Sequence, residues 1–256
     1  QETGLPVHFD VETGENVAWK SPLPGRGASG PIVVGDRVFV TASSGPRQDR
    51  LHVLCFEATT GECRWHRQLW GTGSTVCNPF GAVAAPTPAS DGERVFAFFS
   101  SNDLAGFDLD GNLQWFRGLS YESPATRNDV GMASSPLVVG DVVVVQMENQ
   151  GAPYAAGIDR RTGKTVWQIE RTYGSMWTSP TLLPGGTTDK DLVLFQGRDV
   201  VSAHNPHTGA VVWSFSAPCH STSSVAADEK HVYLQAQGLN AIRPNPETGT
   251  AALVWR

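Results

Sequence analysis

The chain has 256 residues, enough for one large core, with 40% hydrophobic and 17% charged residues, a globular rather than a disordered composition. Its formal net charge of −6 disfavours nucleic acid as a partner, because such a surface repels a phosphate backbone. No apolar run reaches the roughly 18–20 residues of a membrane span. The first residues, Gln1-Glu2-Thr3-Gly4, carry no signal-peptide pattern.

Read in chain order, the sequence repeats. Trp19, Trp65, Trp115, Trp167, Trp213 and Trp255 follow one another at intervals of 46, 50, 52, 46 and 42 residues, near the period of four-stranded propeller blades. A turn dipeptide precedes each: Thr13-Gly14, Thr60-Gly61, Asp110-Gly111, Thr162-Gly163, Thr208-Gly209 and Thr248-Gly249. After the first five tryptophans a small-residue step opens an apolar strand: Ser29-Gly30-Pro31, Ala84-Ala85-Pro86, Ser134-Ser135-Pro136, Thr178-Ser179-Pro180 and Ser223-Ser224-Val225. Valine-rich runs around Gly35-Asp36 and Gly140-Asp141 then read as hairpins. Third strands are expected at Leu51–Phe56, Leu104–Asp108, Ala155–Asp159, Val200–Ala203 and Leu239–Ile242.

Each unit therefore reads strand A, strand B, strand C, turn, and strand D with tryptophan. A single four-stranded sheet cannot bury both its faces; radial stacking does. The expected fold is all-β: a propeller of four-stranded antiparallel blades occupying residues 1–256 as one domain. It holds about five complete units, and Trp19 is placed on a further D strand. No segment has a period-3.6 stripe, so helix is expected to be scarce.

Ala156-Gly157-Ile158-Asp159-Arg160-Arg161-Thr162-Gly163-Lys164-Thr165-Val166-Trp167 resembles the tryptophan-docking motif of pyrroloquinoline-quinone (PQQ) type propellers, and weaker copies recur along the chain. That family includes quinoprotein dehydrogenases and the assembly lipoprotein BamB. The opening, Glu15 to Gly27, resembles PQQ-binding-like propellers common in planctomycetes. The resemblance implies a periplasmic or extracellular protein, commonly of seven or eight blades, so the chain is expected to be part of a larger ring.

In an antiparallel blade the D–A and B–C connections share one face, and the A–B and C–D turns share the other. Most A–B turns are short; the one around Gly185-Gly186 is the exception. The D–A loops are long, especially 66–84 and 116–132, and long loops on a rigid scaffold are where binding usually resides. The candidate ligand or partner face is Arg26, Asn78, Phe80, Arg127, Asn128, Asp129, Trp177 and His220, with Trp70, Tyr121 and Tyr173 in the same loops. The competing reading is that these loops only seal the ring.

No catalytic or metal site is expected. A quinone enzyme needs a catalytic carboxylate and a calcium ion with six to eight oxygen ligands. Glu148-Asn149 and Asn128-Asp129 offer some such oxygens, and the vicinal cysteine pair of many alcohol-oxidising relatives is absent. Asp108-Leu109-Asp110-Gly111-Asn112 has a calcium-loop flavour but occupies a C–D turn. His204 and His207 read as exposed residues of the next such turn. No G-x-S-x-G elbow occurs. Cys55 and Cys63 flank one hairpin and read either as a disulfide or as two small buried thiols; Cys77 and Cys219 lie in loops of the same face. The function expected is a non-catalytic binding or scaffold module with a protein or cell-envelope partner. The alternative is a PQQ- and calcium-dependent oxidoreductase of alcohols or sugars.

Overall fold

The computed structural model describes residues 4, 6–124, 130–147, 151–171, 177–219 and 222–256. Among the described residues twenty strands form five four-stranded antiparallel blades, the last two joined by one parallel strand pairing into an eight-stranded sheet. The first holds β1 (Ile32–Val34), β2 (Arg37–Ser44), β3 (Arg50–Glu57) and β4 (Cys63–Trp70). The second holds β5 (Ala89–Ser90), β6 (Arg94–Phe98), β7 (Asp103–Asp108) and β8 (Leu113–Gly118), followed by one helical turn, α1 (Leu119–Glu122). The third holds β9 (Leu137–Val139), β10 (Val142–Met147), β11 (Tyr154–Asp159) and β12 (Thr165–Glu170). The fourth holds β13 (Thr181–Leu183), β14 (Leu192–Gln196), β15 (Val200–His204) and β16 (Val211–Ser216). The fifth holds β17 (Ala226–Ala227), β18 (Val232–Gln235), β19 (Leu239–Asn245) and β20 (Thr250–Trp255). The A strands β1, β5, β9, β13 and β17 neighbour one another in that order, as the inner strands of radially stacked sheets do.

The spacing of glycine and tryptophan has a structural cause common to all five blades. Trp65, Trp115, Trp167, Trp213 and Trp255 pair across the C–D hairpin with Cys55, Gly106, Gly157, Ala203 and Ala241, all small residues. The register slips by one residue immediately beside each pair, so Arg64, Gln114, Val166, Val212 and Val254 are the extra residues of five β-bulges. At Trp65, Trp115 and Trp167 the indole reaches from its own sheet to the next blade.

There it docks on a turn. Trp65 Nε1 donates to Leu109 O at 2.9 Å, Trp115 Nε1 to Arg160 O at 3.0 Å, and Trp167 Nε1 to Pro206 O at 2.6 Å. The rings lie against Gly111, Gly163 and Gly209, all at positive φ; a Cβ there would sit within 2.9 Å of the ring. Trp19 makes the same contact, donating to Ala58 O at 2.8 Å and covering Gly61. It does so without the strand expected of it: residues 17–20 are not in a strand, since no C strand lies beside them. Trp255 is 45% exposed, with Tyr233 at its edge.

A second repeated contact joins the blades at the start of the A strands. The Gly30 amide donates to Thr87 Oγ1 at 2.9 Å, the Thr87 amide to Ser135 Oγ at 3.0 Å, the Ser135 amide to Ser179 Oγ at 2.9 Å, and the Ser179 amide to Ser224 Oγ at 2.9 Å. This ladder explains the small-residue steps in the sequence. It also shifts the second one, expected at Ala84-Ala85-Pro86, to Thr87-Pro88: only the hydroxyl of Thr87 can accept the Gly30 amide. Each rung removed leaves a backbone donor without its acceptor. Ser135→Ala and Ser179→Ala are therefore each expected to cost about 1 kcal/mol in urea denaturation, and an unchanged midpoint in both would show the rungs replaced by water.

The cysteines are free. Cys55 lies opposite Trp65, whereas Cys63 pairs with Phe56, the next residue along β3. Successive residues of a strand face opposite ways, so the two thiols lie on opposite sides of the sheet. Burial raises the Cys55 thiol pKa to about 11. Cys77 packs against the core between the first two blades and Cys219 within that between the last two.

Candidate functional site

The D–A and B–C connections gather on one face. In the first D–A loop, Asn78 builds a turn: its Oδ1 accepts the Phe80 amide at 2.9 Å and its carbonyl accepts the Gly81 amide at 2.8 Å. Arg26 Nη2 donates to Pro79 O at 2.9 Å and fixes the turn from outside. The Asn78 amide donates to Val130 O, tying this loop to the next. The result is a held loop whose Phe80 side chain is 95% exposed. The structure thus brings Arg26, Asn78 and Phe80 together. Trp177 has a different part: it is half-buried and its Nε1 donates to Gly131 O at 3.0 Å, tying the third D–A loop to the second. Arg127, Asn128, Asp129 and His220 lie outside the described residues, as do Glu148, Asn149 and Tyr173.

Further apolar side chains are exposed in these loops, Trp70 with the Arg50 guanidinium 5.6 Å from its ring centroid. Trp70 is 58% exposed at the end of β4, which runs through residues 66–70 that the sequence assigns to a loop; Val76 follows in the same loop. Tyr121, on α1, is 77% exposed. The two loops abut, since a Cβ on Gly73 would meet Ser120 Oγ at 2.7 Å.

Beneath them lies Asp103, a fully buried carboxylate that the sequence reading missed. It accepts the Thr72 amide at 2.9 Å, the Thr72 hydroxyl, and the Ser101 hydroxyl at 2.6 Å. Burial holds its pKa above the ordinary value in spite of these donors. The lone signal in the sequence was an aspartate beginning a C strand where the other repeats have Arg50, Tyr154, Val200 and Leu239.

These donors bear on the calcium ion of quinone chemistry. Asp103 is engaged by hydrogen-bond donors of its own chain, which is a latch for the loop and not an open ligand set. Among the described residues, no three His, Cys, Asp or Glu side chains converge as a metal cluster. Asn128, Asp129, Glu148 and Asn149, whose oxygens were named for calcium, lie outside the described residues. The Asp108 turn is filled likewise: Oδ1 accepts the Asp110 and Asn112 amides at 3.0 and 2.8 Å. His204, expected on an exposed tip, is buried, with Nδ1 at 2.8 Å from Gly209 O and Nε2 at 2.8 Å from Ser202 Oγ; only His207 is exposed. Both ring nitrogens of His204 stabilise the C–D hairpin.

Five blades, five C–D bulges and a tryptophan latch at three of the four blade contacts define a β-propeller of PQQ-type repeats. Within that class the chain belongs to the family described as outer membrane protein assembly factor BamB, whose model matches residues 1–157 and 153–256. Among curated proteins no relative matches the sequence.

Similar solved structures share the fold at low identity. BamB from Moraxella catarrhalis superposes with a TM-score of 0.59 at 17% identity, covering 88% of this chain and 62% of its own. A europium-containing methanol dehydrogenase gives 0.61 at 14%, covering 89% and 51%. A quinohemoprotein alcohol dehydrogenase from Comamonas testosteroni gives 0.59 at 15%, covering 86% and 40%. The chain thus spans less than two thirds of each of these proteins.

Proposed function

We propose that this chain is a non-catalytic, extracytoplasmic propeller module that docks a protein or another cell-envelope component on its D–A/B–C face. The observation that carries the reading is the exposure of four apolar side chains, Trp70, Val76, Phe80 and Tyr121, on two loops that touch at Gly73 and Ser120. Aromatic side chains held rigidly in water are the usual anchors of protein interfaces. Membership of the BamB family supports a scaffold over an enzyme, and Asp103, spent on loop donors, supports it too.

The reading is tested by retention of envelope proteins on the immobilised chain. Replacing Trp70, Phe80 and Tyr121 together by serine is expected to lower retention by about tenfold or more, as loss of hot-spot anchors does, with unchanged far-UV circular dichroism. Titration with PQQ and calcium is expected to leave the melting temperature unmoved. A calcium-dependent rise would overturn the reading in favour of a PQQ-dependent oxidoreductase acting on alcohols or sugars.

A further inference from the structure

The contact between the fourth and fifth blades breaks the pattern of the others, and it does so on the opposite face. At the first contact Arg37, beside one A–B turn, donates to Leu109 O and pairs with Asp110 at 2.9 Å in the next blade's C–D turn. At the second, Asp91 in the A–B turn pairs with Arg160 at 3.0 Å. At the third, Gly140 lies against the His207 ring. At the fourth neither the turn contact nor the tryptophan latch forms. The Trp213 indole is fully buried, yet its N–H has no acceptor among the described residues. The fifth blade's C–D turn instead meets β16 one residue further on: the Ser214 amide donates to Gly249 O at 3.3 Å, and Ser214 pairs in parallel with Thr250.

The space left between the turns is a cleft of about 640 Å³. Its apolar wall includes Leu183, Leu192 and Val212; its charged residues are Lys190, Lys230 and Arg243 against the single acid Glu229. Among the described residues none of the three cations lies within ion-pair distance of a carboxylate, although Asp189, next to Lys190 in sequence, is in electrostatic reach of it. One wall is the long A–B turn around Gly185-Gly186, the exception among these turns in the sequence. An insertion there and a missing latch opposite thus open one cleft and leave three cations around an apolar wall.

We propose that this cleft binds an extended acidic peptide segment of a partner, seating one aliphatic side chain on the apolar wall and two or more carboxylates against Lys190, Lys230 and Arg243. Charge matching selects this occupant. Three cations against one carboxylate call for more than one negative charge, which a fatty acid lacks. A nucleic acid would meet the chain's net charge of −6 and, in place of a sugar edge, an aliphatic wall. The site is independent of the aromatic face and stands or falls without it.

The probe is a fluorescein-labelled octapeptide alternating glutamate and leucine, followed by anisotropy on the full chain, with an alternating lysine–leucine peptide as its counterpart. Saturable binding of the acidic peptide alone is expected. The K190E/K230E/R243E variant should weaken it by about tenfold or more, and raising NaCl from about 50 to about 300 mM by about threefold or more. Phe80→Ser with Tyr121→Ser should leave it unchanged. All three reversals lie on exposed side chains, and circular dichroism checks the fold. Equal affinity in the triple variant, no saturation, binding lost with Phe80 and Tyr121, or saturable binding of laurate in place of the peptide would each overturn the proposal.

Discussion

Gly157→Ala is expected to destabilise the protein by about 3–5 kcal/mol, although it adds one methyl group. The Cβ would lie 2.2 Å from Trp167 Nε1, inside any permissible contact. The indole must then leave its place, and with it go the hydrogen bond to Pro206 and the cover over Gly209. The loss thus spreads from one hairpin to the contact between two blades. Gly249→Ala is the control. Unlike Gly157 it has a positive φ, +67°, but nothing crowds the added carbon except Val212 O at 3.7 Å, so only the backbone strain of about 1 kcal/mol is expected. Urea denaturation of both variants gives the comparison; a loss at Gly157 no larger than that at Gly249 would mean that the indole shifts aside without losing the latch.

Asp103→Ala carries the second large effect. It leaves the Thr72 amide and the Thr72 and Ser101 hydroxyls buried without their acceptor, for a cost of about 3 kcal/mol or more. Loosening of the loop that presents Phe80 should follow, read as faster amide exchange in residues 72–80. Asp103→Asn keeps one acceptor oxygen and separates charge from hydrogen bonding. Because burial raises the folded pKa, the native state holds its proton at pH values where the unfolded chain has lost it. Wild-type stability from this group is therefore greatest below the ordinary carboxylate value of 3.8 and falls as pH rises through the higher folded value. The asparagine variant lacks that slope, so the gap between the two should narrow between about pH 3 and pH 7. A widening gap would mean that the donors outweigh burial and hold the carboxylate ionised.

Much of the fold was legible because its parts are local. A glycine four residues before a tryptophan encodes a tight turn, a bulge and an outward indole, and each of these is settled within one hairpin. Four of the five expected C strands fall within one residue of β3, β7, β11 and β15 at each end, and the fifth starts with β19 but ends three residues short of it. The error at Ala84-Ala85-Pro86 has a non-local cause. Several small residues in a row satisfy the pattern equally, and only the amide of Gly30, 57 positions away in sequence, selects Thr87.

The candidate site divides in the same way. The sequence showed which loops are long and placed Asn78 among their candidate binding residues; that Asn78 builds a turn came from the structure. That Arg26 reaches Pro79, or that Trp177 is spent on Gly131, depends on which loops the ring sets side by side. Asp103 was invisible because its donors come from a loop some thirty residues upstream. The cleft beside Lys190, Lys230 and Arg243 was half-visible, as an overlong turn around Gly185-Gly186; its other half is a latch left unmade. The sequence by itself determined the repeat, the blade and the latch chemistry, because these rest on neighbours in the chain. Only the tertiary structure decided which latches close and which side chains remain open to a partner, because those depend on the angle at which one rigid sheet meets the next.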